Sequence, residues 1–367
     1  MYAFSNSSRD HPPRAGRGHT RDRAAGRQQQ QVSGRGNCVR PRRTPNETET
    51  AIIPDEPETS SELSDEQILY FGLCYVGFDR KRQGRAKSGS LLLLDRFVAH
   101  YGPVPSAVRY LMEALAQKFT PAQYNLKSVL MTLNWLKCYQ TEHVLAGVWQ
   151  LGEEYIRNKV KEVAGAIQSL YEDTIVFDAS MFEANEVHWL SVDTVNYTTQ
   201  EFRCNPSTLW FDPKSNSAGL KYEFALPTRH DFCVWKNGPF QPGKYHDKTI
   251  FCGAENKDTP KHEWSRSALY FKLPNGKKAI ADSAYEGIPE KVTAKRQGQS
   301  KEVTEFIDRA QNRQEAYHAR LDSYAVLRHR FRHGTSTENK MNLHNMCVEA
   351  IMVVVHFDLR SRPLWET

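Results

Sequence analysis

From about residue 63 onward, apolar positions recur at helical spacing. Within 126–139, Leu126, Val129, Leu130, Leu133 and Leu136 fall at i, i+3, i+4, i+7 and i+10, one stripe of a helix. Tyr155, Ile156, Val160, Val163, Ile167 and Leu170 repeat the pattern. A third helix is expected over 91–101, broken by Gly102-Pro103, and Pro105 then stands where a first helical turn tolerates proline. Residues 91–116 thus read as helix, short turn, helix. That form suits a DNA-binding helix-turn-helix and suits a plain helical bundle at least as well.

After Asp173 the texture changes. Short runs rich in β-branched and aromatic residues appear at 189–195, 220–226, 232–235 and 278–281, separated by turn signals such as Asn237-Gly238-Pro239 and Pro242-Gly243. A long helical segment is expected over 302–331. Strands closing into a helix predict an α+β or α/β domain over 185–360, preceded by a helical region over 67–175.

Composition changes this picture mainly at the amino-terminal end. Residues 1–43 carry ten arginines and no lysine against Asp10 and Asp22, and residues 44–66 carry eight acids and no base. Such a stretch has too little apolar surface to offset chain entropy, so 1–66 is expected to be a disordered tail. Its arginines suggest phosphate binding or nuclear import, and a solvated tail neutralised by the adjacent acids is an equal reading. The basic loop Arg80, Lys81, Arg82, Arg85 and Lys87 leans toward DNA. No apolar run approaches the length of a membrane span; the strongest is 350–355. The start has no apolar signal region. The seven cysteines are scattered with no C-x-x-C pair, which argues against a disulfide framework and a zinc ribbon. An intracellular, soluble protein is the expectation.

The candidate chemistry is acidic. Asp193 sits among apolar neighbours in WLSVDTV, Asp282 ends the run KKAIAD, and Glu315 lies on the helix RAQNRQEAYHARLDSY. A carboxylate in an apolar strand is costly unless it is paired or binds a cation. Three converging carboxylates would raise one another's pKa until a divalent ion neutralised them, and oxygen ligands suit Mg²⁺ or Mn²⁺. The plainer alternative makes Asp193 and Asp282 strand-end caps and Glu315 a surface charge.

Several pieces, in order, resemble the DDE-type catalytic domain of PIF/Harbinger-like and related IS5-like transposases. They are LSVDT around Asp193, VWKNGPFQPGKYHD at 234–247, KKAIADSAYEGIP around Asp282, and RQEAYHARLDSYAVLRHRFRHG at 313–334. FVAHYGPVP and LMTLNWLKCYQTEHVLAG are similar to the family's helical amino-terminal segment. The resemblance implies an RNase H-like fold, and it implies that Asp193, Asp282 and Glu315 are the catalytic carboxylates binding Mg²⁺ or Mn²⁺. It further implies double-stranded DNA as substrate, at transposon ends and target sites, and work in the nucleus. A separate Myb-like DNA-binding protein and a homo-oligomer are left open as partners.

The chain departs from the family where Thr194 replaces a common Gly, where Ser283-Ala284 replaces Arg-Gly, and where His318 and Asp322 replace a common Asn and Lys. Asp322 would weaken a phosphate contact or add a carboxylate near the metals. These departures keep a second reading open: a transposase-derived DNA-binding protein without catalysis. A general nuclease of RNase H type ranks third. Arg296, Arg309, Arg313, Arg320 and Arg328 are the expected DNA contacts, with Lys291, Lys295, Lys301, Arg330 and Arg332 beside them. His246-Asp247 matches a family element but reads first as a local turn contact. His329, His333, His344 and Cys347 fit no standard zinc spacing, and no Walker loop occurs.

Overall fold

The computed structural model describes residues 63–78, 89–120, 123–202, 207–296 and 298–364. The segment to residue 62 and the basic loop at 80–87 lie outside them. Residues 63–66 do not belong to a tail: helix α1, Asp65–Tyr75, starts there. Ser64 accepts a hydrogen bond from the Gln67 amide while the Gln67 side chain accepts from the Ser64 amide. Asp65 and Glu66 occupy the positive end of the helix.

Among the described residues, six more α-helices follow before the sheet: α2 Gly89–Tyr101, α3 Pro105–Lys118, α4 Leu126–Cys138, α5 Glu142–Trp149, α6 Glu153–Gln168 and the single turn α7 Tyr171–Thr174. The expected stripes turn inward except at Tyr155, which is exposed: Leu126, Val129, Leu130, Leu133 and Leu136 are all buried, as are Ile156, Val160, Val163, Ile167 and Leu170. Asn125 caps α4 through the Ser128 amide.

The second half is built on a six-stranded mixed sheet: β1 His188–Thr198, β2 Phe211–Asp212, β3 Ser217–Pro227, β4 Trp235–Phe240, β5 Lys278–Ala281 and β6 Val292–Ala294. β1 lies at its centre, antiparallel to β3 and parallel to β5. β3 carries the antiparallel partners β2 and β4, and β6 extends the sheet parallel to β5. Between β4 and β5 run the short helices α8 Asp247–Cys252 and α9 Leu269–Lys272. They cover one face over a core that includes Trp189, Val192, Phe251, Tyr270 and Tyr285. The chain ends in α10 Lys301–Asp322, α11 Ala325–Arg328 and α12 Thr337–Leu359.

Three elements differ from expectation. The strand expected at 232–235 lies instead at Trp235–Phe240, running through Asn237-Gly238-Pro239. Proline costs no ladder bond on an edge strand, and Gly238 at φ 125° sits at the register shift against β3. The helix expected over 302–331 breaks at Ser323–Tyr324. There the Tyr324 ring lies so close over Gly102 that a Cβ on that glycine would stand 2.5 Å from the Tyr324 hydroxyl oxygen. Finally, α12 packs against α3, α6 and α7 of the helical region as well as β4. The largest core cluster therefore runs from Leu63 to Leu359 and joins the regions on either side of 175–185.

Candidate active site

Successive side chains of a strand point to opposite faces, so Ser191 and Asp193 share the face of β1 covered by α10. Thr194 faces the side covered by α8. Leu190 and Ser191 pair with Ala279 and Ile280 of β5. The same register carried two residues further sets Asp193 beside Asp282, immediately past the end of β5. Glu315 comes from α10, which packs on β1 and β5. The three acids therefore lie on one side of the sheet near the carboxyl end of the parallel strand β5, near enough for the charges of Asp282 and Glu315 to act on Asp193; open α/β sheets usually place their ligands at such strand ends.

Their environments differ. Asp193 is half-buried, and its Oδ1 accepts a hydrogen bond from the Thr194 amide at 2.8 Å. Burial, then the charges of Asp282, Glu315 and Asp247, push its carboxyl up to about 7 against the pull of that amide. Asp282 is exposed and caps the turn Ser283–Tyr285, its Oδ1 accepting from the Ala284 amide at 2.9 Å. Glu315 is exposed. Asp322 feels the same field: burial and Glu315 raise its pKa, while Arg328 pulls it down.

Two supporting groups stand behind Asp193. On the α10 side, the Ser191 hydroxyl donates to Gln314 Oε1 at 2.8 Å. Gln314 Nε2 in turn lies 3.2 Å from the Phe224 carbonyl and 3.1 Å from His318 Nε2. His318 Nδ1 faces Asp193 Oδ2 at 3.7 Å. Burial holds this imidazole down at about 4, so it is neutral near pH 7 and the contact is not an ion pair. On the α8 side, Asp247 Oδ1 accepts from the Thr194 hydroxyl at 2.7 Å and from Lys221 Nζ at 2.8 Å. Burial works to raise the Asp247 pKa, but Lys221 and Thr194 hold it below the usual range. His246-Asp247 is thus more than a local turn contact: Asp247 ties α8 to both β1 and β3.

Glu223 on β3, opposite Thr194, is a buried acid that the sequence reading passed over. Its Oε1 accepts from the Trp235 indole, while Oε2 has no hydrogen-bond partner among the described residues. Burial, reinforced by Asp247, raises its pKa to about 8. The visible signal was a lone Glu inside the apolar run YEFAL. The signal for His318 was its position one helical turn beyond Glu315.

The expected DNA contacts divide. Arg296, Arg309 and Arg328 are exposed. Arg313 is not available to a phosphate: its guanidinium binds the carbonyls of Pro227, Thr228 and His230 and the Asp231 carboxylate. Arg320 binds Asp358 and the Arg362 carbonyl, and Lys291 binds the carbonyls of Leu273 and Pro274. Lys295 is paired with Asp308. Arg332 lies over the Tyr139 ring and binds its carbonyl. His344 is buried, with its Nδ1 2.8 Å from the Tyr222 hydroxyl, an internal contact rather than part of a zinc set.

The donor set suits a hard divalent ion in kind, with three carboxylates from three elements around an Asp193 whose charge is disfavoured until a cation offsets it. The set is open rather than closed. Among the described residues no three acidic, histidine or cysteine side chains are gathered tightly enough to hold an ion. No helix among the described residues is long and apolar enough to cross a membrane. No family model, curated protein or solved structure matches the chain.

Proposed function

We propose that the chain is a divalent-metal-dependent DNA endonuclease and strand transferase of the PIF/Harbinger-like DDE type, on an RNase H-like sheet. One observation carries this: Asp193 lies on the central strand, Asp282 just past the end of β5 and Glu315 on α10, where burial first and then the charges of Asp282 and Glu315 raise the pKa of Asp193. A bound cation would offset that cost.

Bound Mg²⁺ or Mn²⁺ would supply an activated water and stabilisation of the attacking and leaving oxygens in an in-line displacement. The chain's residues do the rest. Asp193, whose Oδ1 accepts from the Thr194 amide, would hold the ion in its deprotonated form. Asp282 and Glu315, both exposed, would be the other donors, on the side open to DNA. Arg309 and Arg328 supply exposed charge along α10 and beyond it for the phosphate backbone, positioning the duplex without reading its bases.

A second reading keeps DNA binding without catalysis. Two observations favour it: the Asp282 carboxylate already caps its own turn, and the donor set is open. Glu315→Gln separates the two. In the nuclease reading, this exchange abolishes metal-dependent nicking and leaves DNA affinity nearly unchanged. Equal loss of both contradicts the role given to Glu315.

A further inference from the structure

We propose that His318 is a positioning residue for Asp193, locked by Gln314 into the form that carries its proton on Nδ1. The functional half of this rests on the nuclease reading; the tautomer rests on hydrogen bonding alone.

The chain of inference starts at a backbone carbonyl, which can only accept. The Phe224 carbonyl lies 3.2 Å from Gln314 Nε2, so that atom is the amide NH₂ group. Gln314 Oε1 is then the acceptor for the Ser191 hydroxyl, 2.8 Å away, which agrees with the same orientation. An amide NH₂ has two hydrogens. One goes to Phe224 and the other points at His318 Nε2, 3.1 Å away. A nitrogen receiving a hydrogen bond has no proton of its own, so in the neutral ring the proton is on Nδ1.

His318 Nδ1 is the nitrogen that faces Asp193 Oδ2, at 3.7 Å. That is beyond hydrogen-bond distance, so Nδ1 faces the carboxylate without bonding it in this arrangement. The ring itself is held by Phe224, with centroids 5.8 Å apart, and is nearly inaccessible to solvent. The Thr194 amide bonds Oδ1 while His318 Nδ1 faces Oδ2, so the two groups flank one carboxylate from either side. Partners of this kind orient metal-binding groups, and their loss typically costs about 10–100-fold in metal affinity.

The test uses the full-length chain with ¹⁵N-labelled histidine, reading the ring nitrogens by long-range ¹H–¹⁵N correlation. His318→Phe identifies the His318 signals by their loss. The expected spectrum has a protonated Nδ1 and a bare Nε2, and Gln314→Met, which removes the donor, shifts the proton toward Nε2. A wild-type ring protonated on Nε2, or on both nitrogens, overturns the tautomer.

The second readout is Mn²⁺ binding, followed by the electron paramagnetic resonance of the free ion. His318→Phe, which keeps ring and volume but no donor, should bind Mn²⁺ about 10–100-fold more weakly, and His318→Asn should recover most of the loss. Phe binding as tightly as wild type, or Asn no better than Phe, overturns the positioning role. If wild type binds no Mn²⁺, the metal reading itself fails and the positioning role with it, while the tautomer still stands or falls on the spectrum. Should His318→Phe not fold, Gln314→Met carries the binding test instead.

Discussion

At Asp193 the charged form is disfavoured by burial and by the neighbouring carboxylates, and this has a definite consequence for stability. Its folded-state pKa of about 7 lies above the roughly 3.9 of an unfolded aspartate. Between these values the folded state holds a proton that the unfolded chain has lost, so metal-free stability falls as pH rises through that window. Removing the charge should therefore help most at high pH: in EDTA, the gain in Tm of Asp193→Asn over wild type grows from pH 5 to pH 8. A gain that does not change with pH contradicts the burial argument. Glu223, raised to about 8 with Oε2 unpartnered, should behave in the same direction on Glu223→Gln. On the proposed metal reading, Mg²⁺ should reverse the trend for wild type, because the ligand must be deprotonated to bind. It should stabilise wild type more at pH 8 than at pH 5 and leave Asp193→Asn nearly unmoved. At this scale the sequence showed residue types but not their partners. The acids of LSVDT, IAD and RQEAY stood out as charges beside apolar runs. The Gln314–His318 contact behind Asp193 depends on how α10 lies across β1, which no local pattern encodes.

Among the elements, α10 does two jobs, and its arginines divide between them. Arg313 holds the β3–β4 connection against the helix, so Arg313→Ala should destabilise by about 1–3 kcal/mol by stranding buried carbonyls and Asp231. Arg309 faces solvent, so Arg309→Ala should leave stability within about 0.5 kcal/mol of wild type. It should also reduce the slope of log K for DNA against log salt by about 0.9. Salt-dependent binding and chemical denaturation, run on both variants, check this. Equal behaviour of the two contradicts the division. Sequence spacing could not separate them, because arginines four apart share a helix face in general, and what distinguishes them is the loop that meets each one. The same limit explains other differences. The stripe of α6 was legible because one face is apolar and the other polar, and that of α4, though buried on nearly every side, because Lys127, Ser128, Thr132, Asn134 and Lys137 interrupt its apolar positions. α12 has no stripe, since Val348 and Ala350 through Val355 are all buried, and an element apolar on every side shows no period. The break before α11 follows from Tyr324 packing on Gly102, a contact across more than two hundred residues.

Across the whole molecule, the helical region and the sheet share one core through α12. Thermal unfolding of the described body should therefore be a single cooperative transition, lowered as a unit by Ile351→Ala at a cost of about 2–5 kcal/mol. Two separable transitions contradict a shared core. Sequence texture divided the chain correctly by element type, helices before strands, but texture cannot show that the last helix returns to pack among the first ones. α10 packs on β1 and β5 and so carries Glu315 to the side of the sheet that holds Asp193 and Asp282. The claim that these three carboxylates form a metal-dependent nuclease site is tested most directly by plasmid nicking in Mg²⁺ or Mn²⁺ against EDTA. Wild type is run beside Asp193→Ala, Asp282→Ala and Glu315→Ala, each verified as folded. The expected result is nicking by wild type, none in EDTA, and none by any of the three variants. DNA bound without nicking, or nicking that survives all three substitutions, contradicts it.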